Sequence, residues 1–155
     1  MKIIAHRANV DGPNPLTENM PEQIDKAISM GYNVEIDIRY DILTGMLHLG
    51  HDEAQYEVNW YWLAARKDHL WIHCKNLEAL LEFSRGTSGF NYFWHQTDSY
   101  TLTSTNKIWT YPGNPYTSRS VIVMPESYMN RDNLKDLIAY DCYGVCTDYP
   151  QLIKK

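Results

Sequence analysis

The chain has 155 residues, of which 44% are hydrophobic and 21% charged, and its net charge is −5. That composition describes one globular domain spanning residues 1–155 and excludes disorder; an acidic balance without a basic run excludes a nucleic-acid groove. No stretch approaches 18 apolar residues and Met1 leads straight into strand-like sequence, so we expect no membrane span, no signal peptide and a cytoplasmic protein with Cys74, Cys142 and Cys146 reduced.

In chain order, Lys2–Ala5 is a short apolar strand. A loop holding Gly12, Pro13 and Pro15 leads to a helix predicted over 21–30. There Met20, Ile24, Ala27 and Ile28 have helical spacing, Pro21 suits the first turn and Gly31 the left-handed position after the last. Residues 33–39 read as a second strand and Met46–Leu49 as a hairpin return. A short helix is predicted over 60–67, a strand over 70–75, and a helix over Leu77–Ser84 capped by Asn76 and ended by Gly86. Segments 92–96, 107–111 and 121–124 read as strands. Asp132 is expected to cap a helix carrying Leu134, Leu137 and Ile138, and 144–148 is the last strand. Strands alternating with helices place the chain in the α/β class with a parallel sheet.

Side chains on a strand alternate between faces, so Glu35 and Asp37 share one face roughly 7 Å apart. Val34, Ile36 and Ile38 take the other. Two carboxylates side by side, with imidazoles arriving from elsewhere, fit a hard divalent cation and acid/base chemistry. Each piece alone has a plainer meaning: an alternating acidic strand is also what a solvated edge looks like, and a lone histidine is commonly structural. The joint order favours chemistry, with Arg7 directly after His6 and Asp52 directly after His51.

Ile4-Ala5-His6-Arg7, Glu18-Asn19, Glu35-Ile36-Asp37, Thr44-Gly45 and His51-Asp52 resemble the N-terminal signature of glycerophosphodiester phosphodiesterases. The run Gly144-Val145-Cys146-Thr147-Asp148-Tyr149-Pro150 is similar to that family's closing strand, and its Thr-Asp-Tyr-Pro recurs in sphingomyelinase D enzymes. The resemblance implies a TIM-type barrel with the active residues at the C-terminal strand ends. Such barrels usually need ~250 residues. Because 97–106 and 112–120 lack a helical pattern, we expect a reduced barrel of seven or eight parallel strands with several helices missing.

By the same resemblance, His6 is the general base and His51 the general acid, Arg7 and Lys75 hold phosphate oxygens, and Glu35 and Asp37 hold one divalent cation, Mg²⁺, Ca²⁺ or Mn²⁺. Two positions depart from the pattern. Ala8 stands where a glycine is usual, and His73 where a third metal carboxylate is usual, two residues before Lys75. An imidazole there moves the preference toward Mn²⁺ or another first-row ion; alternatively His73 is a third acid/base group. Glu18, Asp52, His95, Trp109 and Asp148 complete the candidate pocket, although His95 also fits ordinary polar lining and Trp109 ordinary core packing. The implied function is hydrolysis of a glycerophosphodiester-like or other alkyl phosphodiester, a small-molecule substrate. The alternative is a non-catalytic phosphate-ester or sugar-phosphate binding module on the same barrel. Strands 92–96 and 107–111 lack helices of their own, so outer residues such as Phe93 and Ile108 are expected to be exposed and covered in a homodimer.

Overall fold

A computed structural model describes residues 1–86 and 89–153. In chain order its elements are β1 (Lys2–Ala5), α1 (Pro21–Ser29), β2 (Asn33–Asp41), β3 (Met46–Leu49), β4 (Tyr56–Val58), α2 (Trp60–Ala64), β5 (Leu70–Cys74), α3 (Leu77–Ser84), β6 (Tyr92–Phe93), β7 (Tyr100–Leu102), β8 (Ile108–Thr110), β9 (Ser120–Val123), β10 (Gly144–Thr147) and α4 (Pro150–Ile153). A tight turn covers His6–Ala8, a short 3₁₀ turn covers Pro125–Ser127, and a longer 3₁₀ segment covers Arg131–Ala139.

Seven strands run parallel in the order β6–β5–β2–β1–β10–β9–β8. The remaining three are antiparallel additions: β3 and β4 extend from β2, and β7 folds back on β8. No ladder joins β6 to β8 among the described residues; the chain after β6 spans that seam. The Ser104 amide donates to the Tyr92 carbonyl at 2.9 Å, the Tyr92 amide to Ser104 Oγ at 3.0 Å, and Thr101 Oγ1 to the Trp94 carbonyl at 2.9 Å. Inside the seam the rings of Phe93 and Trp109 lie 4.5 Å apart. The result is the expected reduced TIM-type arrangement.

Strand alternation divides the apolar residues between two sides. Ile4, Trp71, Phe93, Trp109, Val121, Val123 and Cys146 point inward and fill the barrel as an apolar plug. The opposite faces, including Val34, Ile36, Ile38 and Ile72, pack under Ile24 and Ala27 of α1, Leu63 of α2 and Phe83 of α3. Ile122 and Val145 are covered by Leu134, Leu137 and Ile153. The helix signals act as expected: Pro21 opens α1, Gly31 follows it at φ +85°, and the Asn76 side chain accepts from the Ala79 amide.

Several expectations need correction. Phe93 is 2% exposed and faces inward, because the β5–β6 register pairs it with His73 and puts both on the lumen side. Asn130, not Asp132, caps the segment at 131–139, where the Asn130 carboxamide accepts from the Asp132 amide. The 3₁₀ geometry has three residues per turn, so Leu134 and Leu137 point inward and Ile138 stays 60% exposed. Helix α2 ends at Ala64, and strands β6 and β8 are shorter than read. Strands β4 and β7 and helix α4 are too short to leave a periodic signal. Among the described residues no helix is long and apolar enough to cross a membrane.

After β1 the backbone turns through two consecutive left-handed residues, Arg7 at φ +50° and Ala8 at φ +66°. An L side chain in that region costs about 1–2 kcal/mol. Part of this returns when glycine replaces alanine, offset by about 0.4–1 kcal/mol from the freer unfolded chain. Ala8→Gly is therefore expected to stabilise the protein by about 0.5–1 kcal/mol. Urea denaturation would read this as a higher midpoint at unchanged slope; a lower midpoint would contradict the strain.

Candidate active site

At the C-terminal ends of five strands the residue two positions beyond an apolar plug residue carries a polar or aromatic head. Ile4 leads to His6, Trp71 to His73, Phe93 to His95, Trp109 to Tyr111 and Cys146 to Asp148. Two residues along a strand return to the same face about 6.6 Å further on. The apolar plug thus becomes the floor of a polar site at the C-terminal mouth. On β2 the whole lumen row is polar: Asn33, Glu35 and Asp37 are all buried.

Asp37 is the most enclosed of these groups. Its Oδ2 accepts from Asn19 Nδ2 at 3.0 Å and lies 3.2 Å from Arg7 Nε, while its own amide donates to Asn19 Oδ1 at 2.9 Å. Its Oδ1 has His73 Nδ1 at 3.2 Å and Lys75 Nζ at 3.8 Å but no hydrogen-bond partner. Burial by itself would raise its pKa, yet the His73 ring, the Arg7 charge and the Asn19 hydrogen bond hold the carboxyl well below the usual range. Glu35 lies alongside. Its Oε2 accepts the Arg7 backbone amide at 3.1 Å, and its Oε1 is 3.6 Å from His73 Nδ1.

The His73 tautomer follows from its neighbours. Nε2 is 2.8 Å from the His95 carbonyl, which can only accept, so Nε2 carries a proton and Nδ1 faces the two carboxylates. Burial opposes the charged ring, but the Asp37 and Glu35 carboxylates beside Nδ1 raise its pKa to about 9. One ligand atom each from Glu35, Asp37 and His73 fall within 4.8 Å of one another. Together with the orphaned Asp37 oxygen, this donor set fits a divalent cation, and a cation taking Nδ1 would displace the ring proton.

The two histidines named from sequence both have carboxylate partners. His6 Nδ1 is 2.8 Å from Asp148 Oδ1; a carboxylate only accepts, so Nδ1 is protonated and Nε2 is left as the base. Burial alone would lower its pKa, but the Asp148 hydrogen bond and the Glu35 and Asp148 charges raise it. Asp148 itself is fixed. It accepts from Asn9 at 2.8 Å, and its amide donates to Glu126 Oε1, whose other oxygen accepts from the Thr147 hydroxyl. His51 Nδ1 lies 2.7 Å from Asp52 Oδ1 in a loop beyond β3, and the Asp52 side chain is otherwise open to solvent.

Arg7 Nη1 donates to Glu18 Oε2 at 3.1 Å, and Glu18 Oε1 accepts from Asn9. Arg7 and His51 wall one cavity of about 330 Å³ together with Glu18, Asn19, Asp52 and Gln55. Trp109 lies in the apolar plug, between Trp71 and Phe93, and His95 Nε2 is held by the Asp98 carbonyl at 2.6 Å. Asn9, Arg39 and Glu126 were not anticipated as parts of the site, and Asn19 only as part of a motif; a lone asparagine or glutamate in a loop gives no spacing signal, whereas Arg39 continues the two-residue alternation of Glu35 and Asp37 along β2. Burial pushes the Cys74 thiol up to about 12 and raises Cys142 and Cys146 as well, so no cysteine is poised as a nucleophile.

The Asp148 contact predicts a measurable titration. His6 should titrate above 6.5, and Asp148→Asn, which removes the Asp148 charge and leaves that of Glu35, should move its NMR midpoint down. An unmoved midpoint would show that Asp148 does not set the charge of His6.

No protein-family model and no curated protein matches the sequence. In three dimensions the chain is similar to a glycerophosphodiester phosphodiesterase from Agrobacterium tumefaciens str. C58, with a TM-score of 0.60 and 14% identity over 99% of this chain and 98% of that one. A glycerophosphodiester phosphodiesterase from Parabacteroides distasonis ATCC 8503 gives a TM-score of 0.53 and 10% identity over 99% and 94%. At these identities the likeness speaks for architecture: the chain has the fold of these two phosphodiesterases.

Proposed function

We propose that this chain is a metal-assisted phosphodiesterase acting on a small glycerophosphodiester-like or other alkyl phosphodiester. One observation carries the reading. Two carboxylate-backed imidazoles, a guanidinium and a cation-fitting triad are gathered at the mouth of a barrel shared with proteins of that activity. The cavity between Arg7 and His51 has polar walls except for Pro15, which suits a hydroxylated or charged alcohol better than an acyl chain.

The chemistry answers what a phosphodiester demands. Its negative charge repels an incoming oxygen, and its leaving alkoxide is poor. In this mechanism His6 Nε2 takes a proton from the attacking water as the new P–O bond forms. As the old P–O bond breaks, His51 delivers a proton to the departing oxygen. The Asp148 and Asp52 carboxylates each fix a ring and stabilise its charged form. Arg7 and Lys75 neutralise charge on the phosphate oxygens, Arg7 being held in place by Glu18 and by its amide on Glu35. A divalent cation held by Glu35, Asp37 and His73 would supply Lewis-acid charge to the same oxygens when bound.

Hydrolysis of glycerophosphocholine, measured with and without EDTA and with Mg²⁺, Ca²⁺ or Mn²⁺ restored, tests this. Turnover should be lost in EDTA and return with metal. His6→Ala and His51→Ala should each lower it by about 10²–10⁴-fold in a folded protein. Phosphate-ester binding without turnover by the native chain would favour the binding-module alternative. Activity surviving in both variants would eliminate the two-histidine mechanism.

A further inference from the structure

His51 sits on a loop with little to hold it. Its side chain is 35% exposed and that of Asp52, its one side-chain hydrogen-bond partner among the described residues, 91%. At the ends of the loop, Gly50 donates its amide to the Asp37 carbonyl at 3.0 Å and Gln55 donates to the Leu49 carbonyl at 2.9 Å. Between them the chain turns tightly. Gly50 has φ +144°, and a Cβ there would meet the Glu53 carbonyl oxygen at 2.0 Å, so only glycine fits.

One side chain reaches into this turn from the barrel. Arg39 continues the lumen row Glu35–Asp37 two residues further along β2, at the level where β2 pairs with His48 of β3. Its Nη2 donates to the His51 carbonyl at 2.7 Å and to the Asp52 carbonyl at 2.9 Å. Among the described residues nothing else hydrogen-bonds those two carbonyls. Arg39 Nε is buried without a partner, an arrangement tolerated because the other end of the guanidinium is held.

We propose that Arg39 is a positioning residue: it ties the loop bearing the general acid to the strand bearing the metal carboxylates, and so fixes His51 relative to the leaving-group oxygen. The proposal rests on the reading of His51 as the acid. It assigns Arg39 no contact with substrate. Misplacing a catalytic group by about 1 Å can cost on the order of 10²-fold, so a tether of this kind has measurable weight.

Leaving-group dependence provides the test. A p-nitrophenolate departs without a proton, whereas an alkoxide needs one. The purified chain is assayed on bis-p-nitrophenyl phosphate and on glycerophosphocholine, as native protein, His51→Ala, Arg39→Met and Arg39→Lys. Hydrogen exchange is followed across 50–55. In Arg39→Met the alkyl ester should lose about 10- to 100-fold more kcat than the aryl ester, the 50–55 amides should exchange faster, and the melting transition should stay cooperative. Arg39→Lys, which can still donate to both carbonyls, should recover part of the alkyl activity. Equal losses on both esters with unchanged exchange in 50–55 would overturn the proposal. A His51→Ala variant with no leaving-group preference would instead refute the acid role of His51. In that case the exchange data still decide whether Arg39 holds the loop.

Discussion

Glu35 is 2% exposed and Asp37 fully buried, side by side at the open end of a barrel. Removing two carboxylates from water costs several kcal/mol per ion unless each finds opposite charge and hydrogen bonds. Much of the site answers that demand. The Arg7 amide and guanidinium, the Asn19 carboxamide, the His73 ring and Lys75 all converge on these two groups from the turn after β1, the loop before α1, and the end of β5. Asp37 Oδ1 still has no hydrogen bond after all of this. A structure that spends five partners on two carboxylates and leaves one buried oxygen open has kept a strong site for positive charge.

The plug beneath supports the site. Trp71, Phe93 and Trp109 pack with tilted rings across the lumen at 4.5–6.0 Å, so the polar heads above them stand on a packed floor. His73 is stacked on the Phe93 ring at 5.1 Å, and its far nitrogen is tied to the His95 carbonyl. The same plug closes the β6–β8 side, where helices are missing and the β7 hairpin substitutes for a ladder. A short chain thereby keeps the barrel's mouth while giving up part of its outer ring.

Much of this was legible in the residues. Alternation on 33–39 assigned Glu35 and Asp37 to one face, and the β2–β5 register, which pairs Asp37 with His73, brings His73 alongside. Asn76, Pro21 and Gly31 marked helix ends because each acts through its own local chemistry. What stayed hidden lies at long range or in short elements. Asp148 was named for the pocket, but its pairing with His6 across 142 residues leaves no local signal, and the clamp on the His51 loop is a contact of side chain with backbone that leaves no sequence period. Phe93 was assigned to the wrong face because a two-residue strand carries too few positions to set its phase. Ile138 was misplaced because helical spacing was read with 3.6 residues per turn where the chain uses three.

Function here depends on whether the two buried carboxylates and His73 are a cation site or only a charge network closed on itself. The most direct measurement is anomalous scattering from crystals soaked in Mn²⁺. The account predicts a single strong peak within ~2.0–2.6 Å of oxygens of Glu35 and Asp37 and beside His73 Nδ1, absent in Glu35→Gln. No peak at millimolar Mn²⁺, or one bound elsewhere on the surface, would contradict it.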